Sequence, residues 1–264
     1  MFSGLLLWQS CDDAPPDFFS LENEISLAQE LQSWVASDTI FSVLAEEEYP
    51  LTYAYANASF ENLLGLSATD SISEVVNKDN FEWSLFLLNT EELNAFVTPG
   101  GQLYISTSLI KLLEAQDELA SVLAHLIVHA DERHVTKQLL NFFSSSDLKQ
   151  AAGGTNESML NDIAEHVFGR RTAFSFSYGD EQTAEVLTVK HLSSTSFACD
   201  ASILFNQKLE KQVLQGNPPS FNDLHAFETD KSTIINEQVG KEGCNTELIE
   251  ESGFTFADFK NSLP

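Results

Sequence analysis

Positive charge is what this chain has least of. Its 264 residues carry 13 Lys and Arg against 40 Asp and Glu, a formal charge of -27, and neither Lys nor Arg occurs before Lys78. So negative a surface repels nucleic acid and anionic lipid, and both are set aside as partners. Long apolar runs are also missing: no stretch approaches the roughly 18 uninterrupted apolar residues of a spanning helix. The body is therefore expected to fold in water. Cysteine is scarce, with Cys11, Cys199 and Cys244 in no CxxC spacing. An odd count of this kind excludes a zinc ribbon and a full disulfide framework, while a single Cys199–Cys244 bridge stays open. Residues 1–19 have an apolar patch (Leu5, Leu6, Leu7, Trp8) but no positive start. They read as the remnant of a signal, or as a packed terminus. In the lipoprotein version of that reading, Cys11 would carry a lipid anchor and give the only route to a membrane.

What is present suffices for one core. Hydrophobic residues make up 43% of the chain, so one domain over residues 20–240 is expected, followed by a tail, 241–264, with no motif. Leu21, Ile25, Ala28, Leu31, Trp34 and Val35 recur at helical spacing after a Ser20 N-cap, predicting a helix over residues 20–44. One or two short helices are expected within 59–76. Trp83 to Leu88 is an apolar run, and residues 93–98 and 102–106 read as a hairpin around Pro99-Gly100-Gly101. Thr107 is placed as the cap of a helix to Leu113, and Asp117 as the cap of a long one to Phe143. The Ser- and Gly-rich residues 144–158 read as a loop with room for one turn of helix. Further helices are expected over 159–168, from Asp180, and over 200–215.

His125-Leu126-Ile127-Val128-His129 carries the chemistry. Residues four apart stack on one helix face, so both imidazoles can turn a ring nitrogen to one cation. Their apolar neighbours leave a second reading open, two hydrogen-bonded core histidines. Zinc needs a third protein ligand if water takes the fourth position. Glu132, one turn on, and Glu181, with Glu185 on the same face of a later helix, both qualify.

The order of segments decides between them by resemblance. Asn94-Ala95-Phe96-Val97-Thr98-Pro99-Gly100-Gly101, then a strand and a helix, then Glu118-Leu119-Ala120-Ser121-Val122-Leu123-Ala124-His125, with Arg133-His134 following, resembles the zinc endopeptidases of the HtpX, CAAX prenyl protease and BepA/Oma-like group. Glu181-Gln182-Thr183-Ala184-Glu185 is similar to that family's ExxxD motif with Glu for Asp, and Leu224-His225-Ala226 to its His-Pro segment with Ala for Pro. The resemblance implies an α+β, mainly helical gluzincin domain with a small sheet packed on the metal helix. It implies Zn(2+) held by His125, His129 and Glu181, with Glu185 orienting a ligand and His225 approaching the metal or a substrate oxyanion. It also implies a polypeptide substrate or partner and a cell-envelope setting. Gln102, Leu103, Tyr104 and Ile105 are the expected edge strand for that polypeptide.

One position departs from the family. Leu126 stands where an HExxH glutamate takes a proton from the attacking water and passes it to the leaving amine. Leucine does neither, and general acid-base catalysis is typically worth about 10²- to 10⁴-fold. The expectation is a zinc-binding domain impaired in hydrolysis that binds polypeptide in envelope protein quality control. Two alternatives stand beside it: a slow endopeptidase using another carboxylate such as Glu132, and a metal-free interaction module.

Overall fold

In the computed structural model, residues 18–38, 41–65, 75–168, 175–214 and 231–264 are described. Cys11, His225, residues 66–74 and Gln215 lie outside them.

Among the described residues four strands form one sheet: β1 (Ser42–Val43), β2 (Ser84–Asn89), β3 (Ala95–Val97) and β4 (Gln102–Ser106), in the order β1-β2-β4-β3. The hairpin is present, and its Pro-Gly-Gly turn is written by steric demand. Gly100 and Gly101 have φ of 83° and 89°, and a Cβ would meet the Glu24 carbonyl oxygen at 2.8 Å in one case and the Trp83 ring at 2.8 Å in the other. A side chain at either position is excluded twice, by φ and by space.

The expected edge strand is corrected. β4 pairs with β3 in antiparallel register on one side and with β2 in parallel register on the other. Gln102, Leu103, Tyr104 and Ile105 therefore have neighbours on both flanks, and all four are buried. A parallel partner 18 residues upstream (Ser84 opposite Gln102) leaves no trace in local periodicity. Among the described residues the strand at that end of the sheet is β3. Thr98 bonds Gln102, and Ser106 bonds Asn94, each at 2.9 Å. The alternation of an antiparallel ladder then turns the main-chain groups of Ala95 and Val97 away from β4.

Among the described residues the helices are α1 (Leu21–Ser37), α2 (Pro50–Leu63), α3 (Thr107–Leu112), α4 (Gln116–Asp131), α5 (His134–Leu139), α6 (Ser145–Ala152), α7 (Glu157–Val167), α8 (Tyr178–Ser193), α9 (Ala201–Leu214), α10 (Lys231–Glu242) and α11 (Phe256–Asn261). Ser20 caps α1 as expected, accepting from the Asn23 N–H. The helix stops at Ser37, however, because the chain then enters β1. The short helices placed within 59–76 correspond in the described part to the end of α2, which starts earlier, at Pro50, where proline's fixed φ suits a first turn. Ser106, not Thr107, caps α3. The region 144–158 holds two full turns of helix, α6, closed by a Ser144–Asp147 capping box.

α4 is the buried axis of the fold. Every residue from Asp117 to Ala130 is buried, and the helix packs against α2, α8, α9 and β3. A helix buried on all sides is central to the fold. Asp117 does not cap it. Its carboxylate instead accepts from the main-chain N–H of Ala198 at 2.7 Å and Ile249 at 3.1 Å, tying the chain's last segment to the helix start. A Cys199–Cys244 disulfide holds the same region. Residues 243–264 are further fixed by Lys260 donating to the Leu113 carbonyl at 2.7 Å and by Tyr55 donating to Glu251.

The expected helix from Asp117 to Phe143 is broken in two at Arg133, whose φ is 57°. Arg133 holds this left-handed conformation through two donated hydrogen bonds, from Nε to Glu24 Oε1 at 2.6 Å and from its terminal nitrogen to the Phe19 carbonyl at 2.5 Å. Glu24 is fully buried and accepts from Thr136 as well. Burial raises the pKa of Glu24, and the Thr136 and Arg133 contacts offset part of that rise. The turn folds His134 back toward α4.

Candidate metal centre

His125 and His129 face α8 from the last two turns of α4, and Glu181 and Glu185 face them from the first two turns of α8. All four are buried. His125 Nε2 and His129 Nε2 are 3.1 Å apart, Glu181 Oε1 lies 3.4 Å from His129 Nε2, and Glu181 Oε2 lies 3.7 Å from His125 Nε2. Ligands at 2.0–2.1 Å around a tetrahedral zinc stand about 3.3 Å from one another. The three spacings bracket that edge, and the donor set of two imidazoles and a carboxylate suits zinc. The residues fit the ion. Among the described residues this is the one such convergence of three metal-ligating groups.

The alternative third ligand, Glu132, is not part of it. Glu132 ends α4 as its C-cap, and Asp131 beside it accepts from the main-chain N–H of Val76 and Asn77 at 2.9 and 2.7 Å. Leu126 shares α4 with both histidines and is 0% exposed within the apolar core.

Each imidazole has a different neighbour behind it. His129 Nδ1 is 3.2 Å from His134 Nδ1, and His134 Nε2 is 3.3 Å from Asp180 Oδ1. Phe176 stacks on the His129 ring, centroid to centroid 3.9 Å. Burial is the main cause that lowers the pKa of His134 to about 4, so the ring is neutral at pH 7 although Asp180 pulls the other way. His125 Nδ1 is 4.0 Å from Glu185 Oε1, a polar contact too long for a hydrogen bond.

Glu185 is occupied elsewhere. Lys231, the first residue of α10, places Nζ 2.7 Å from Glu181 Oε2 and 3.3 Å from Glu185 Oε1. Burial raises the Glu185 pKa to about 7; the Lys231 charge opposes the rise and Glu181 adds to it. For Lys231, burial works against the charge, but Glu181 and Glu185 together outweigh it and hold the ammonium above the ordinary lysine value. A cavity of about 10 Å³ lies beside His125 and Lys231, roughly the space of one water. Ser202 and Asn206 line it with Glu185, and Glu185 Oε2, Ser202 Oγ and Asn206 Nδ2 are buried without a hydrogen-bond partner.

Lys231 and Asp180 went unnoticed as site residues in the sequence. Lys231 has no motif, and only its rarity as a cation in an acidic chain could have drawn notice. Asp180 carried a signal for helix start alone.

Comparison with known proteins bears on the family. The model of peptidase family M48 matches residues 67–225. The chain is 26% identical to the beta-barrel assembly-enhancing protease of Escherichia coli K12 over 221 residues, 80% of this chain and 43% of that protein. It is 36% identical to the mitochondrial metalloendopeptidase OMA1 of Saccharomyces cerevisiae over 184 residues, 66% of this chain and 51% of that protein. It thus spans about half the length of these relatives or less. With the family model covering more than half of its length, the chain belongs to peptidase family M48.

Proposed function

We propose that this is a zinc-binding metallopeptidase-family domain that keeps the metal ligands, has lost the proton carrier, and binds or regulates polypeptide with impaired hydrolysis. One observation carries the reading: His125, His129 and Glu181 converge at zinc-like spacing while the position next to His125 is a fully buried Leu126. Zinc, when bound, supplies a Lewis acid that polarises a carbonyl oxygen. His125 and His129 offer Nε2 to it and Glu181 an oxygen. Leu126 can neither accept nor donate a proton, so the step general acid-base catalysis accelerates has no carrier at that place.

The relatives are named for assembly of a β-barrel and for a mitochondrial peptidase, and a polypeptide partner in a cell envelope is the setting proposed for this chain. The Cys199–Cys244 bridge supports an oxidising compartment. His225 is retained as a proposed contact to metal or oxyanion, and Cys11 as a proposed lipid anchor.

A second reading is favoured by Lys231. Its ammonium lies against both Glu181 and Glu185, so the fold has a cation at its acidic centre with or without a metal. On that reading the domain is a metal-free interaction module.

Casein incubated with the wild type and with Leu126→Glu, Leu126→Gln and His125→Ala separates these readings. Restoring the carboxylate should raise chelator-sensitive cleavage by about 10²- to 10⁴-fold. The Gln variant buries a similar polar group without a base and should stay inactive. Equal chelator-sensitive cleavage by wild type and Leu126→Glu would contradict impaired hydrolysis.

A further inference from the structure

The Arg133-His134 pair has a place in this centre that hydrolysis does not use. His129 and His134 meet Nδ1 to Nδ1 at 3.2 Å, their rings at a 72° interplanar angle. Two ring nitrogens at that distance form a bond only if one carries the proton and the other offers a lone pair. The far side of His134 decides which. Its Nε2 is 3.3 Å from Asp180 Oδ1, and an ionised carboxylate has no proton to give. A bare Nε2 would set its lone pair against that anion, so the proton is placed on His134 Nε2. A neutral ring protonated there has a bare Nδ1, which accepts from the Nδ1–H of His129. His129 is then bare at Nε2, the atom directed at His125 Nε2 and Glu181 Oε1. That lone pair can accept from a His125 Nε2–H in the absence of an ion, or ligate an ion when one is bound.

The relay is held at both ends. Asp180 Oδ2 accepts from Ser177 Oγ at 2.7 Å, and the Asp180 N–H donates back to Ser177 Oγ at 3.1 Å, so the helix cap that starts α8 also fixes the carboxylate. At the other end the left-handed turn at Arg133 sets where His134 stands, anchored to α1 through Glu24 and Phe19. Phe176 closes one face of the His129 ring.

We propose that His134 is a positioning residue: with Asp180 it sets His129 in the Nδ1–H tautomer, so that Nε2 presents its lone pair to the metal position. The consequence for affinity rests on the zinc reading above. The tautomers do not, because Asp180 imposes them whether or not an ion is bound.

Two measurements on the full chain test this. Long-range proton–nitrogen correlation spectra of the zinc-free protein should show His129 as the Nδ1–H tautomer and His134 as the Nε2–H tautomer. The opposite assignment for His134 would overturn the proposal. Zinc affinity, read by competition with a chromophoric chelator, should fall about 10- to 100-fold in His134→Phe, which keeps ring bulk but offers no acceptor. His134→Asn, whose side-chain oxygen can stand where Nδ1 stood, should recover most of the loss. A merely structural histidine would lower the melting temperature in both variants and leave zinc affinity at the wild-type value, and that result would also overturn the proposal. Should His134→Phe not fold, Asp180→Ala at the partly exposed start of α8 serves in its place. It should yield a mixture of His129 tautomers, and an unchanged spectrum would count against the relay. A wild type that takes up no zinc would refute the metal reading alone, with the spectra still deciding on His134.

Discussion

His125 and His129 sit one turn apart on the same helix, yet they are supported in opposite ways. Behind His129 stands a second imidazole, His134, within hydrogen-bond distance, and behind that the Asp180 carboxylate at 3.3 Å. Behind His125 stands an ionic group, Glu185 with Lys231, whose nearest oxygen is 4.0 Å from the ring and whose second oxygen has no partner. Orientation by hydrogen bonds is specific in direction, whereas neutralisation by a buried ammonium is specific only in charge. The His129 side is built to aim a nitrogen. The His125 side is built to keep two buried carboxylates tolerable.

The largest effect expected from breaking this contrast lies on the ionic side. Lys231→Met leaves Glu181 and Glu185 buried together without their cation, and removal of one partner from a buried pair costs about 3–5 kcal/mol. Denaturant unfolding should show that loss in zinc-free protein, with most of it regained on adding zinc, which replaces the missing charge. A loss of the same size with and without zinc would separate Lys231 from the metal position. Glu185→Gln is expected to be milder: with no hydrogen bond to His125 to lose, zinc affinity should change by less than about tenfold, below the range seen when an orienting partner is removed. A larger drop would make Glu185 the equal of His134. The smallest effect concerns the turn that places His134. Arg133→Ala and Arg133→Gly both lose the contact to Glu24, but at φ of 57° the alanine should be less stable than the glycine by about 1 kcal/mol. Equal melting curves would show that the left-handed turn relaxes when Arg133 is removed.

The contrast also marks what the sequence could disclose. The His125 and His129 spacing, the Glu181 and Glu185 spacing and the Pro-Gly-Gly turn are local patterns, legible because helix periodicity and glycine stereochemistry act within a few residues. The pairing of β2 with β4 and the arrival of Lys231 between two glutamates are contacts made across 18 and 50 residues, and no period encodes them. Local pattern alone therefore reads 102–106 as an edge, and the pairing on both flanks overturns that. The helix break at Arg133 was hidden in another way. The residues around it suit a continuous helix, and the stop is imposed by Glu24, 109 residues away. Asp180 was legible as a helix start but not as the terminus of a relay, since its partner ring comes from the far side of that same break. Leu126 was plain in sequence as a missing carboxylate, and the structure adds that the position is wholly within the apolar core.

The central claim is that the metal ligands persist around a position that has lost its base. Zinc-edge X-ray absorption on protein loaded with zinc and then exchanged into metal-free buffer tests it most directly. The account predicts about one zinc per chain with two imidazole nitrogens and carboxylate oxygen at about 2.0–2.1 Å. Protein that retains no zinc, or a coordination shell without imidazole, would contradict it.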